Sequence, residues 1–156
     1  QEQWAFETDA QVFSSPAVSE GTVYVGSRDS YLYAIDTETG QEQWAFEAGD
    51  WVQSSPAVSE GTVYVGSRDS HLYAIDAETG QEQWAFETGN WVQSSPAVSG
   101  GTVYVGSHDT HLYAIDAETG QEKWAFETDG RVFPSPAVSG GTVYVGSYDN
   151  QLYAVE

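Results

Sequence analysis

Cysteine and methionine are both missing from these 156 residues. Without cysteine the chain forms no disulfide, no thiolate metal site and no thiol nucleophile. Basic side chains are scarce: Arg28, Arg68, Lys123 and Arg131 stand against 24 Asp and Glu, for a formal charge of −20. So acidic a surface repels phosphate backbones and anionic lipid, which removes nucleic acid from the partners to expect. No apolar run is long enough to cross a bilayer as a helix, so membrane insertion is not expected either. The first residues carry neither a methionine nor a signal peptide, and read as the start of a processed, excised or engineered segment.

The acidic excess admits two explanations. In a high-salt host, counterions screen the self-repulsion that would weaken the fold in dilute buffer. Alternatively, glutamate recurs because one motif was copied. Aromatic residues, by contrast, are plentiful, with six Trp, ten Tyr and six Phe.

The copying is plain to see. Residues 41–80 and 81–120 differ at five of 40 positions, and residues 1–40 differ from 41–80 at seven. The last copy, 121–156, stops four residues short of a period. Such self-similarity marks a repeat architecture, in which a unit too small to bury its own apolar surface stacks on copies of itself. All four repeats form a single domain, 1–156.

Each repeat reads as four short strands separated by Gly, Pro and Ser turns. In the first copy they fall at Ser14–Ser19, Thr22–Ser27, Tyr31–Asp36 and, crossing into the second, residues 41–48. The third strand is apolar on both faces, Leu32 and Ala34 on one and Tyr33 and Ile35 on the other, so it needs neighbours on both sides. The fourth carries Glu42 and Glu47 around Trp44 and Phe46, as suits an outer edge guarded by charge. Four-stranded antiparallel sheets of about 40 residues stacked round an axis make a β-propeller.

The turn after the third strand supports a family reading. The pattern Ala34-x-Asp36-x-x-Thr39-Gly40-x-x-x-Trp44 recurs as Ala74, Asp76, Thr79, Gly80, Trp84 and as Ala114, Asp116, Thr119, Gly120, Trp124. It resembles the tryptophan-docking motif of the PQQ-like (quinoprotein) β-propeller repeat family, and the resemblance covers essentially the whole chain. These residues have structural work to do: Asp and Thr bond turn amides, Gly permits the closing angle, and Ala leaves room for an indole. The resemblance also implies an extracytoplasmic or cell-surface parent protein. Quinoprotein dehydrogenases of that resemblance hold a quinone with calcium and a catalytic carboxylate, often beneath a cysteine pair. This chain has no cysteine and no extra loop to supply such groups, so no enzyme activity, cofactor or metal is expected.

The order of strands bears on ring closure. The chain opens with an outer strand, residues 1–8, and closes with a third strand, residues 151–156. Four blades in one chain would make a tightly wedged ring. Two chains, each lending residues 1–8 to the other, would make an eight-bladed homodimer, which is the arrangement expected here.

The copies differ mainly in two places, the approach to the first strand and the turn between the second and third. The approach reads Gln11, Trp51, Trp91, Arg131, then Phe13, Gln53, Gln93, Phe133. The turn reads Arg28, Arg68, His108, Tyr148, then Tyr31, His71, His111, Gln151. In an up-and-down blade both lie at one end of the sheet, so the variation marks one face of the ring. That face is either a site for a protein or glycan partner, with Trp51 and Trp91 as stacking platforms, or the product of drift at exposed positions. A shared metal at the histidines is not expected, because sheet packing near 10 Å should hold equivalent positions of neighbouring blades apart. The recurring Asp29, Asp69, Asp109 and Asp149 should bond their own loop amides. The Ser-Ser-Pro segments should line a polar axis. The function expected is that of a non-catalytic scaffold or interaction module, with a ligand-binding propeller as the alternative.

Overall fold

The computed structural model describes residues 1–156 and contains only strands and turns. Blade 1 is β1 (Ala17–Ser19), β2 (Thr22–Gly26), β3 (Tyr31–Asp36) and β4 (Glu42–Glu47). Blade 2 is β5 (Ala57–Ser59), β6 (Thr62–Gly66), β7 (His71–Asp76) and β8 (Glu82–Glu87). Blade 3 is β9 (Ala97–Ser99), β10 (Thr102–Gly106), β11 (His111–Asp116) and β12 (Glu122–Glu127). The last sheet has three strands, β13 (Ala137–Ser139), β14 (Thr142–Gly146) and β15 (Leu152–Val155). Neighbours in sequence pair antiparallel throughout, so each sheet is a meander. The innermost strands are shorter than the sequence suggests: Ser14, Ser15 and Pro16 lie outside β1, and the Ser15 amide bonds to Ser55 of the next blade instead of to its own sheet.

The core lies between blades. Leu32, Ala34, Trp44 and Tyr24 of blade 1 pack with Val52, Val63, Val65 and Ile75 of blade 2, and the same set recurs between blades 2 and 3. Tyr33 and Ile35 face the other way, toward Trp4 and Phe6, so β3 is buried on both faces as its sequence requires. A valine of each next blade closes on a glycine of β2: a Cβ added to Gly26 would meet Val52 Cγ1 at 2.5 Å. Glycine is therefore needed there for close approach.

Tryptophan docking runs between blades, which the motif within one repeat does not reveal. The Trp44 ring rests on the turn at Gly80, and its Nε1 donates to Ala77 O at 3.0 Å. Trp84 does the same to Gly120 and Ala117 O, and Trp4 to Gly40 and Thr37 O, each at 3.0 Å. Gly40, Gly80 and Gly120 all have φ near +70° (70°, 73° and 71°), so each combines a left-handed turn with an indole seat. Asp36, Asp76 and Asp116 hold these turns by accepting from the Thr backbone N and hydroxyl. Those bonds, the Thr amide first, hold the three carboxyls below the ordinary aspartate range.

Serines stitch the blades at the axis. The amides of Ser15, Ser55 and Ser95 each donate to the Oγ of the serine one period on, at 2.9, 2.9 and 3.1 Å.

The four blades form an open arc. Residues 1–8 lie against blade 1 in the place of an outer strand, yet no strand pairs with them. At the opposite end β15 has no outer neighbour, and Leu152 is 76% exposed where Leu32, Leu72 and Leu112 are fully buried. Val12 is 51% exposed where Val52, Val92 and Val132 are sealed. The Gly146 notch meets only Pro134, no closer than 3.4 Å.

Candidate functional site

The two variable regions do meet on one face, and they meet more closely than blade spacing suggests. Arg28 packs over Phe13 of its own blade at 4.5 Å and over Trp51 of the next at 4.7 Å. Arg68 repeats the arrangement one blade on, over Trp51 at 4.4 Å and Trp91 at 4.1 Å. The stack continues through Trp91–His108, His108–Phe133 and Phe133–Tyr148, with ring centroids 5.6, 5.8 and 5.9 Å apart. One ladder therefore runs across all four blades. The 10 Å separation of sheets fails as a guide here, because long side chains from neighbouring blades interleave near the axis.

The backbone holds the rungs in place. In blades 1 to 3 the amide of residue 28, 68 or 108 donates to the carbonyl of residue 11, 51 or 91, tying the variable turn to the approach segment. The pair Tyr148 N and Arg131 O does so in blade 4. Hydrogen bonds then fix side-chain edges: Arg28 Nη1 donates to Gln11 Oε1 at 2.8 Å. Gln93 packs against Gln53, and with its amide oxygen turned toward Arg68 it accepts from Arg68 Nε and Nη2 at 3.2 Å and donates to His108 Nε2 at 2.8 Å. Burial, then the nearby charges of Arg131 and Arg68, lowers the His108 pKa. The downward shift favours the neutral imidazole, the form that can accept the Gln93 bond.

The ladder thus gathers Gln11, Arg28, Trp51, Arg68, Trp91, His108 and Tyr148, while Arg131 is exposed beside it. Phe13, Phe133 and Gln93 belong to it equally. Their signal in the sequence was variation at positions otherwise alike, which does not by itself distinguish a rung from a neutral change. Trp4 is the residue missed among the docking tryptophans, and its signal was its 40-residue offset from Trp44.

The remaining polar residues are occupied structurally. Asp29 Oδ1 accepts from the Tyr31 amide, and Oδ2 from the Tyr33 hydroxyl at 2.8 Å and the Asp9 amide at 3.2 Å. Asp69 and Asp109 bind Gly49 N and Gly89 N at 2.7 Å, so this aspartate joins its turn to the loop leading out of an outer strand. Burial and this acceptor push Tyr33, Tyr73 and Tyr113 well above the ordinary tyrosine range. His71 and His111 each place Nδ1 near the carbonyl of their own turn aspartate, at 3.0 and 2.9 Å, and neither joins His108. No three His, Asp or Glu side chains converge as metal ligands. On the opposite face, clefts between blades are lined by Glu60, Gln83, Asp116 and Lys123, and by Glu20, Gln43, Glu60 and Asp76.

A family profile described as "Outer membrane protein assembly factor BamB" matches residues 1–91 and 87–156. No curated protein sequence matches the chain. Among solved structures, BamB from Moraxella catarrhalis superposes with a TM-score of 0.86 at 22% identity, over 97% of this chain and 48% of that one. The computationally designed Ika4 protein gives 0.89 at 21% identity, over 99% of this chain and 96% of Ika4. The quinohemoprotein alcohol dehydrogenase ADHIIG from Pseudomonas putida HK5 gives 0.81 at 26% identity, over 91% of this chain and 29% of the enzyme. The chain therefore spans about half the length of Moraxella BamB.

Proposed function

We propose that this chain, which belongs to the PQQ-like propeller repeat family of the outer membrane protein assembly factor BamB, is a non-catalytic interaction module whose first partner is a second copy of itself. The observation that carries the reading is the fit between its two open ends. Each internal interface seats a valine on a glycine, buries a leucine and docks an outer strand carrying Trp and Phe. One end of the arc has the exposed Val12 with residues 1–8. The other has the empty notch at Gly146, the exposed Leu152 and the unpaired edge of β15. Exposed apolar ends of this kind favour association, and head-to-tail contact closes when the rotations add to a ring. For the 156-residue chain in isolation, the blades that fit are those of a second copy.

The internal pairing Leu32↔Phe46, Tyr33↔Ala45, Ala34↔Trp44 gives the register for closure. Leu152 should face Phe6, Tyr153 Ala5 and Ala154 Trp4 across the two chains. The axial serines support the same join, because Ser135 N would then meet the partner's Ser15 Oγ.

Light scattering in molar salt tests the reading. A mass of two chains is expected; a single-chain mass with one cooperative melt would mean four blades close alone and would overturn it.

A second reading is favoured by the ladder. The face carrying Trp51, Trp91, Arg28, Arg68, Arg131 and His108 also suits a ligand, with exposed rings at Trp91 and Phe133 beside the cations. A peptide and glycan array tests it, with binding expected to fall in Trp91→Ala. Membership in a family described by outer membrane protein assembly supports an extracytoplasmic parent protein.

A further inference from the structure

We propose that the arginine–aromatic ladder binds an acidic peptide segment, whose carboxylates dock on the edges of Arg28, Arg68 and Arg131. The inference rests on the ligand-face reading and is independent of self-association.

The distribution of charge points to it. Ion pairs in the chain join His71 to Asp69, His111 to Asp109 and Lys123 to Asp116. None involves an arginine, although 24 carboxylates are available to three guanidinium groups. The nearest in sequence, Asp29 and Asp69, are turned away onto Tyr33 and Tyr73 and their own turns. In a molecule of charge −20, three of the four lysine and arginine side chains are thus kept on one face and left without counter-charge.

The geometry makes those cations receptive. Rings from two blades pack on Arg28 and Arg68, so their remaining donors lie along the guanidinium edge, where a carboxylate binds with two parallel hydrogen bonds. Neutral glutamine amides occupy part of that edge. They are weaker acceptors than a carboxylate, and an incoming acid can displace them. Arg28 Nε has no partner at all although it is buried, a condition that is unfavourable when left unrelieved. Trp51 carries a guanidinium from each of two blades, at 4.7 and 4.4 Å from its ring centroid, so two cations present paired docking points to one short segment. The half-exposed Trp91 and Phe133 offer stacking area to an apolar residue between the acids. A long polyanion is disfavoured by the rest of the surface, whereas a short acidic segment between neutral neighbours meets only the local positive field.

The test is a fluorescence titration of the 156-residue chain with acetyl-Glu-Phe-Glu-amide and with its Gln-Phe-Gln counterpart. The acidic peptide should bind at least about tenfold more tightly, and raising salt should weaken it. Arg131→Gln and Arg68→Gln should each reduce affinity about tenfold with the melt retained. Lys123→Gln removes the same charge from the opposite face and should leave binding unchanged. Equal binding of the two peptides, no binding of either, or an Arg131→Gln variant that binds as well as the parent would overturn the proposal. A chain that still forms a two-chain ring but binds neither peptide would overturn this inference and leave the association reading standing.

Discussion

Gly146→Ala separates the fold of the arc from its closure. At the three internal interfaces the equivalent glycine is pressed by a valine of the next blade, and a Cβ on Gly26 would come within 2.5 Å of Val52 Cγ1 and of the Val52 carbonyl. Backbone on one side of that contact leaves little freedom to move aside. Overpacking of this kind costs about 1–3 kcal/mol. Gly146 has the same place in its sheet, but its Cβ would meet only Pro134, at 3.4 and 3.8 Å. The substitution should therefore leave the isolated arc unharmed, since ordinary van der Waals contact is all it makes there. In a two-chain ring the notch receives the partner's Val12, and the ring contains two such joins. The loss of association free energy is then about 2–6 kcal/mol, or roughly 30-fold to 10⁴-fold in dissociation constant at 1.4 kcal/mol per decade. Sedimentation equilibrium in molar salt gives that constant, with circular dichroism reporting the blades. Gly66→Ala is the control and should lower the melt itself. Were Gly146→Ala to associate as tightly as the parent, the ends would not meet in the register of the internal interfaces, and the ring as drawn would be wrong.

Three further variants probe the packing and the charges. Trp44→Ala should cost about 3–5 kcal/mol in urea unfolding, because a 9%-exposed indole leaves both its seat on Gly80 and its bond to Ala77 O. Trp124→Ala should cost less in the isolated arc, since no turn equivalent to Gly80 follows in the chain and the ring is only partly buried. His108 is a base whose folded pKa is depressed below 6.5, so the unfolded chain takes up a proton first. Its contribution is present above that value and is lost as the pH falls from there toward the folded pKa. The thermal melt of His108→Gln should therefore depend less on pH across this interval than that of the parent, and an unchanged dependence would show that His108 does not titrate between burial and its two arginines.

The blade was legible because each of its causes is local or periodic. Leu32, Ala34, Tyr33 and Ile35 announce a strand buried on both faces, and the 40-residue repeat announces what buries it. The arginine–aromatic ladder was legible only as a set of places. Sequence reasoning put Arg28, Trp51, Arg68, Trp91 and His108 on one face, but not in contact, because it measured the gap between sheets at their backbones. Arg28 reaches Trp51 across a blade boundary through its side-chain length. The seat of each tryptophan was not legible for a related reason: the motif holds Gly40 and Trp44 four residues apart, yet the seat of Trp44 is Gly80, one full period on, and no spacing within a repeat distinguishes the two. What a repeat unit touches is the next unit, so its own sequence specifies the shape of an interface without saying which copy fills it.

The charge distribution then decides the conditions under which any of this association is seen. The carboxylates at Glu38, Glu42 and Glu47, and their counterparts one and two periods on, are exposed along the outer edge and its turn. There they keep β4, β8 and β12 from pairing with foreign strands, since an edge lined with like charges repels another of its kind. The same charge would oppose the proposed ring closure, because two chains of formal charge −20 would have to meet at both ends. At 0.01 M salt the Debye length is about 30 Å and the chains repel across the whole arc; at 1 M it is about 3 Å and only contacting charges count. The melting temperature and the association constant should both rise steeply between these limits, while the peptide affinity of the arginine face falls. Opposite salt responses of the two events, measured on one preparation by scanning calorimetry and peptide titration, are the expected result. A melting temperature that stays flat or falls with salt would mean that the acidic surface is not under repulsive stress, and would favour motif copying over a high-salt host as the origin of the glutamates.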